Sequence, residues 1–324
     1  MAGRSERGRA PPGQRRFHIA SIEVEAVVLD YIPEGRISDP HREHRDRPVV
    51  QALGVRRLHF VDGIPLSEVD ILDKVTLARE MSFSVPVSVK LPTGVERRVK
   101  TVNIQLSCIP GPLDGGKAMF CMPLGPVDQA ALDALKEMIE SEKGGKYVFV
   151  GGVEELSRVA ESQGLPAKVI STPRDPISYG DLTDIAKSNL ADAVRMIVRE
   201  REDFFVEFFN VAEAINIRLH AIETLRGVGK KTLRSFLRER ERGGFDSFEK
   251  VKKYLKIDPE EALVEKILEE LECRETVKYY LFVEPCDPMK PYFNYLDKMW
   301  RSYIRKARVR RQASYEEGSV EEAG

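Results

Sequence analysis

The stretch Leu225-Arg226-Gly227-Val228-Gly229-Lys230-Lys231-Thr232-Leu233 sets two glycines, one residue apart, against two adjacent lysines. Glycine has no Cβ, so the backbone there can take positive φ and lie close to another backbone. A helix that opens after such a turn exposes its first N–H groups and the positive end of its dipole, and both attract phosphate. Lys230 and Lys231 place ammonium groups at that same end, with Arg234 one turn later. Before the turn, Ile215, Ile217, Leu219, Ile222 and Leu225 predict a helix over 214–225; after it, Leu233, Phe236 and Leu237 predict a second. The pattern reads as a helix-hairpin-helix, a device for holding a nucleic-acid backbone without reading bases. Its candidate binding residues are Arg226, Gly227, Val228, Gly229, Lys230, Lys231 and Arg234. A packed turn with a glycine C-cap would account for the glycines but not for the charge.

The charge is segregated along the chain. Between Arg226 and Lys253 ten basic residues face four acids, whereas Asp258 to Glu272 holds seven acids and only Lys266 as a base. The whole chain is near neutral, at a formal net charge of -1, so this local excess is the footprint of a polyanion binder. A charged fraction of 32% also fits the ion-pair networks of a thermophile.

A chain of 324 residues is long enough for several domains, and its patterning predicts an α+β multidomain protein. Residues 1–20 read as a disordered basic arm. Short strands near 22–29, 49–53, 58–61 and 73–77 predict a small curled sheet over 21–81, an OB-like β-barrel. Tyr31, Arg36 and Arg56 stand in or beside its loops as further candidate contacts, with His59 and Phe60 as possible stacking surfaces. Residues 82–172 predict a small α/β module: a hairpin over 84–108, a strand at 118–122, a helix over 128–142, then β-α-β from 147 to 170 with a parallel pair. Residues 173–275 predict an all-α helix-hairpin-helix domain, in which Phe204, Phe205, Phe208 and Phe209 form core. Asp246 with Glu249, and Asp258 before Pro259, mark two helix starts. A strand over 276–284 is expected to return to the barrel. Residues 285–324 form a basic, then acidic, tail; Trp300 and Tyr303 lie among its cations and suit either an RNA-gripping arm or a solvated surface helix.

Other chemistry is sparse. The cysteines Cys108, Cys121, Cys273 and Cys286 include no close-spaced pair, so zinc is not expected there. Free buried thiols are the ordinary reading in a reducing cytosol, with a Cys108–Cys121 disulfide as the alternative for a hyperthermophile. His41 and His44 flank Glu43 in a charged loop that predicts solvent exposure and no metal site. Gly151-Gly152 lacks the G-x-G-x-x-G spacing of a dinucleotide site. No Ser-His-Asp set, Walker loop or paired-carboxylate motif occurs, so neither enzymatic activity nor a cofactor is expected. There is no apolar run of membrane-spanning length and no secretory h-region, which together predict a soluble, cytoplasmic protein without membrane partners.

Five blocks carry a resemblance: Val27-Val-Leu-Asp-Tyr-Ile-Pro-Glu-Gly-Arg36, Pro48-Val-Val-Gln-Ala-Leu-Gly54, Ile177-Ser-Tyr-Gly-Asp-Leu-Thr183, Phe208-Phe-Asn210, and Arg218-Leu-His220 through Gly229-Lys-Lys231. Together they resemble an archaeal family catalogued as domain of unknown function 655 and described as predicted nucleic-acid-binding proteins. The likeness covers roughly residues 23–81 and 173–284. It implies an OB-like barrel fused to a helix-hairpin-helix domain, with residues 82–172 as an insertion and the stretch after Pro285 as an addition. Members are typically encoded near ribosomal and ribosomal-RNA-modifying proteins, which implies a translation or ribosome-assembly setting. The expectation is therefore a non-enzymatic nucleic-acid-binding protein that prefers RNA, with ribosomal particles as possible partners. A DNA-binding repair or recombination accessory is the alternative. An enzyme with its site in the 82–172 module is a third reading.

Overall fold

A computed structural model describes residues 23–37, 41, 44–90, 96–113, 116–141, 146–173 and 175–321, so the expected basic arm over 1–20 lies outside the described residues. Eight strands make one mixed sheet: β1 (Glu25–Ile32), β2 (Val49–Gly54), β3 (Phe60–Pro65), β4 (Lys74–Lys90), β5 (Glu96–Leu113), β6 (Gly116–Pro123), β7 (Lys146–Phe149) and β8 (Val169–Thr172). Their order is β1-β2-β3-β8-β4-β5-β6-β7. An additional β1–β4 pairing brings the order back on itself, so β1, β2, β3, β8 and β4 form a closed circuit. Alternation fills both sides of it. Ala26, Val28, Val50, Ala52, Val75, Leu77 and Ile170 share one buried cluster, while Val27, Leu29, Leu53 and Phe60 join the helical core.

Two expectations about the sheet are corrected. The strand that completes the circuit is β8, not residues 276–284: it pairs antiparallel with β3 and parallel with β4. Val277 and Tyr280 to Val283 are buried, while Lys278 is exposed and Tyr279 half-buried, and among the described residues this segment joins no strand of the sheet. The Glu270 carboxylate takes the place of a neighbouring strand, accepting the N–H groups of Leu281, Phe282 and Val283 at 2.8, 2.8 and 2.9 Å. Nor is residue 82 a boundary in the sheet. β4 runs straight through it, and its far half pairs with β5 from Arg79 to Lys90. The helices α1 (Gln129–Ser141) and α2 (Val153–Glu161) pack on this extension. Parallel pairs occur as expected in kind, but between β6 and β7 and between β4 and β8, so β7 and β8 are not neighbours.

The remaining helices are α3 (Asp184–Glu200), α4 (Glu202–Val211), α5 (Lys230–Gly243), α6 (Phe248–Leu255), α7 (Pro259–Leu271) and α8 (Tyr295–Glu321). Phe204, Phe205, Phe208 and Phe209 on α4 are buried, as expected. Asp258 caps α7 by accepting the Glu261 N–H, and Pro259 sits at its first position. The cap of α6 is Ser247 rather than Asp246. The tail is neither a free arm nor a solvated helix over its first half. Tyr295, Leu296 and Met299 fall on one face of α8 and are buried, and Ser302 donates to Glu207 at 2.7 Å. Trp300 and Tyr303 pack edge-on against Phe204. The side chains after Arg308 lie outside the described residues.

Both cysteine pairs are disulfide-bonded, Cys108–Cys121 and Cys273–Cys286. The first joins register partners on β5 and β6, so the free-thiol reading gives way to the disulfide alternative for that pair.

Glu23 anchors the turn after β2. Its carboxylate accepts the N–H groups of Arg56 and Arg57, and burial pushes its pKa from 4.5 up to about 7. Between those values the folded chain holds a proton that the unfolded chain releases. The stability linked to that proton is fully present below pH 4.5 and is lost as pH rises to about 7. The full window corresponds to about 3 kcal/mol. Glu23→Gln should flatten the decline between pH 5 and 7 in urea titrations; an unchanged slope would show that Glu23 does not control it.

Candidate nucleic-acid interface

The chain reaches the basic turn through two short strands, β9 (Ala214–Asn216) and β10 (Leu219–His220), and not through a helix over 214–225. The reason is in the spacing. Ile215, Ile217 and Leu219 stand two residues apart, a strand period, and Ile217 at the tip is fully exposed. Asn216 closes the tip by accepting the Arg218 N–H through Oδ1 at 2.9 Å. Only Ala221–Thr224 turns helically, as one 3-10 turn. His220 Nδ1 accepts the Ile222 N–H at 3.2 Å, and the Glu223 carboxylate accepts the His220 N–H at 2.8 Å. Ala221, Ile222 and Leu225 are buried, so this turn is fixed from below.

The hairpin follows. Gly227 has φ +84°, a conformation that side chains rarely adopt, and a Cβ there would stand 3.1 Å from Ile257 Cγ2. Ile257 belongs to the α6–α7 turn, where Lys256 is left-handed at φ 60°. The α6–α7 turn therefore packs against the basic one. The Asp258-Pro259 helix start marks where this turn ends in sequence, but no local spacing encodes the contact of Ile257 with Gly227.

α5 opens at Gly229, which has no side chain with which to cap the first turn. Thr232 closes the local geometry instead, accepting the Gly229 N–H at 3.1 Å and donating to its carbonyl at 2.7 Å. Below, Leu233 and Phe236 are buried, and Phe236 stacks on Phe245 at 4.6 Å between ring centroids. Lys230, Lys231 and Arg234 are exposed, and among the described residues they make no ion pair. Lys230 Nζ lies 3.4 Å from the Arg218 carbonyl, which brings the β9–β10 tip and a further arginine beside the helix end.

The two helix starts contrast. At α7 the Asp258 carboxylate accepts an end N–H, and Glu260 and Glu261 occupy the first turn. Those two acids pair with Arg199 at 2.8 Å and Arg195 at 3.2 Å. The α7 end is closed and its acids are paired with cations, while the α5 end is open and basic. Of these two helix starts, α5 is the one whose charge and free N–H groups favour an anion.

Not every residue predicted for binding joins this end. Gly227, Val228, Gly229, Lys230, Lys231 and Arg234 are together. Arg226 turns toward α7 and pairs with Glu265 at 2.7 Å. Arg36 donates to the Asp181 carbonyl. The Arg56 guanidinium lies 4.7 Å above the Trp300 ring, a seam between sheet and α8. Tyr31 remains exposed on β1. Arg240 looks cationic in sequence, but Nη1 donates to the Ala212 carbonyl and burial lowers its pKa. The Arg218 carbonyl and the Thr232 hydroxyl also meet this end, and neither follows from the Gly-Lys spacing.

His41 and His44 are not solvated as predicted, although Asp46 and Arg47 after them are exposed. His44 and Asp62 are buried, and His41 and His44 meet Asp62 Oδ2 through their Nδ1 atoms at 2.9 and 3.2 Å. Among the described residues no helix is long and apolar enough to cross a membrane.

Comparison with known proteins adds the following. The family described as "Protein of unknown function (DUF655)" matches residues 22–284, a range that takes in 82–172 and stops before α8. The uncharacterized protein MJ0038 of Methanocaldococcus jannaschii is 38% identical over 111 residues, covering 34% of this chain and 51% of that protein. The chain thus spans about half the length of the curated relative it matches. The crystal structure of Af1531 from Archaeoglobus fulgidus, described with the same family, aligns with 81% of this chain and 100% of its own, at 21% identity and a TM-score of 0.44. Both relatives are archaeal.

Proposed function

Since the chain belongs to the DUF655 family, whose description leaves function open, we propose from its own geometry that it is a non-enzymatic nucleic-acid-binding protein that prefers RNA. One observation carries the reading: the α5 end is a basic helix start with no side-chain cap and, among the described residues, no ion pair, beside a positive-φ glycine and a second turn packed on it. That is the arrangement expected of a helix-hairpin-helix unit, with the 3-10 turn Ala221–Thr224 and α5 flanking the first hairpin and α6 and α7 flanking the second. A backbone phosphate would accept from the first-turn N–H groups while Lys230, Lys231 and Arg234 balance its charge. The closed circuit of β1, β2, β3, β8 and β4 is read as an OB-like barrel, with Tyr31 as its exposed aromatic contact. Arg36 and Arg56 already have partners within the protein, the Asp181 carbonyl and the Trp300 ring.

The test is equilibrium binding to structured ribosomal RNA fragments and to length-matched duplex DNA over a salt series. Tighter RNA binding, with log affinity falling linearly in log salt, is expected. Tighter DNA binding would replace this reading with a repair or recombination role. No binding to either by folded protein would end both.

A further inference from the structure

The described part of the β1–β2 loop stands over a buried carboxylate. It curls around Gly35 (φ +71°), where a Cβ would stand 2.5 Å from the Arg45 carbonyl and 2.8 Å from that of His44. A backbone hydrogen bond from His44 N–H to His41 carbonyl, 3.1 Å, turns both imidazoles to one side. They meet Asp62 on β3, whose side chain is 1% exposed. Asp62 Oδ1 is buried and has no hydrogen-bond partner among the described residues. Glu80 on β4 approaches from beyond, with Oε1 3.7 Å from His44 Nε2.

We propose that His41, His44 and Asp62 are the protein ligands of a divalent transition-metal site of the zinc class. One ligand atom from each lies within 4.8 Å of the others. Two ligands at zinc bond lengths in a tetrahedron stand about 3.3 Å apart, and the His–Asp separations here are 2.9 and 3.2 Å. Two imidazoles and a carboxylate suit zinc, cobalt or copper rather than the all-oxygen preference of magnesium or calcium. A dication also answers a charge problem: Asp62 and Glu80 bring two carboxylates to one poorly solvated place. Three protein ligands leave a fourth position, and the site ties the loop to β3 across the circuit. The competing occupant is a proton, held by a cationic His44 between the two acids.

The test uses the full chain, stripped with chelator and without nucleic acid, so its outcome is independent of RNA binding. Zinc titration by calorimetry should give one site per chain, and cobalt should develop visible d–d bands at the same stoichiometry. His41 is the ligand with the most exposed side chain, at 19%, so His41→Ala is expected to stay folded while weakening zinc at least about tenfold. Asp62→Asn, which keeps the side-chain shape, should lose the cobalt bands. No zinc binding by wild type would overturn the proposal in favour of the proton. Zinc binding undiminished in folded His41→Ala and Asp62→Asn would overturn it equally, by placing the metal elsewhere.

Discussion

Lys230→Glu/Lys231→Glu should bind RNA about a hundredfold more weakly than wild type, and the salt slope should become shallower by about 1.5 to 2. The magnitude follows from position. Both ammonium groups stand at the α5 end, exposed and without an ion pair among the described residues, so reversal removes two phosphate contacts and adds repulsion there. The fold should survive, because the buried face of α5 is Leu233 and Phe236, which the substitution leaves alone. Fluorescence anisotropy at several salt concentrations reads both quantities. A variant with wild-type affinity and slope would place the ligand on another surface. Arg226→Glu is a useful contrast: its guanidinium already serves Glu265, so its effect on RNA should be several-fold smaller.

Glu270→Ala should cost about 3–5 kcal/mol and bring the chain near its unfolding threshold. Glu270 is fully buried, and its carboxylate satisfies three backbone N–H groups at 2.8–2.9 Å. Lys266 Nζ lies 3.3 Å away and is itself buried. Removing the carboxylate orphans three donors and leaves an ammonium without its counter-charge, and each orphan costs about 1–3 kcal/mol. Glu270→Gln keeps one carbonyl oxygen and should cost less. Urea midpoints of the two variants decide this; equal midpoints for Ala and wild type would show that water satisfies these groups. The consequence reaches the proposed interface, since α7 carries Glu265 and follows the turn holding Ile257 against Gly227.

How legible each part was depended on how local its cause is. The Gly-Lys turn, the Asp258-Pro259 start and the phenylalanine core of α4 follow from neighbouring residues, and the sequence predicts them where they occur. The helix over 214–225 failed because Ile215, Ile217 and Leu219 satisfy a strand period while Ile222 and Leu225 continue the helical one. The returning strand failed because the apolar residues among 277–283 have strand character in sequence, whereas the acceptor for the N–H groups of 281–283 is a carboxylate eleven to thirteen residues earlier on α7. Asp62 was invisible as a partner of His41 and His44, since it lies 21 and 18 residues away and no ligand spacing encodes that approach. Likewise Arg56 carries no sign in sequence that Trp300 will cover it.

The measurement that bears most directly on the central claim is amide chemical-shift mapping of the 15N-labelled chain titrated with a structured RNA. Residues 228–233 should show the largest shifts, with Arg218 at the β9–β10 tip moving in the same titration. Dominant shifts in β1–β4 or α8, with 228–233 silent, would contradict the claim that the α5 end holds the backbone phosphate.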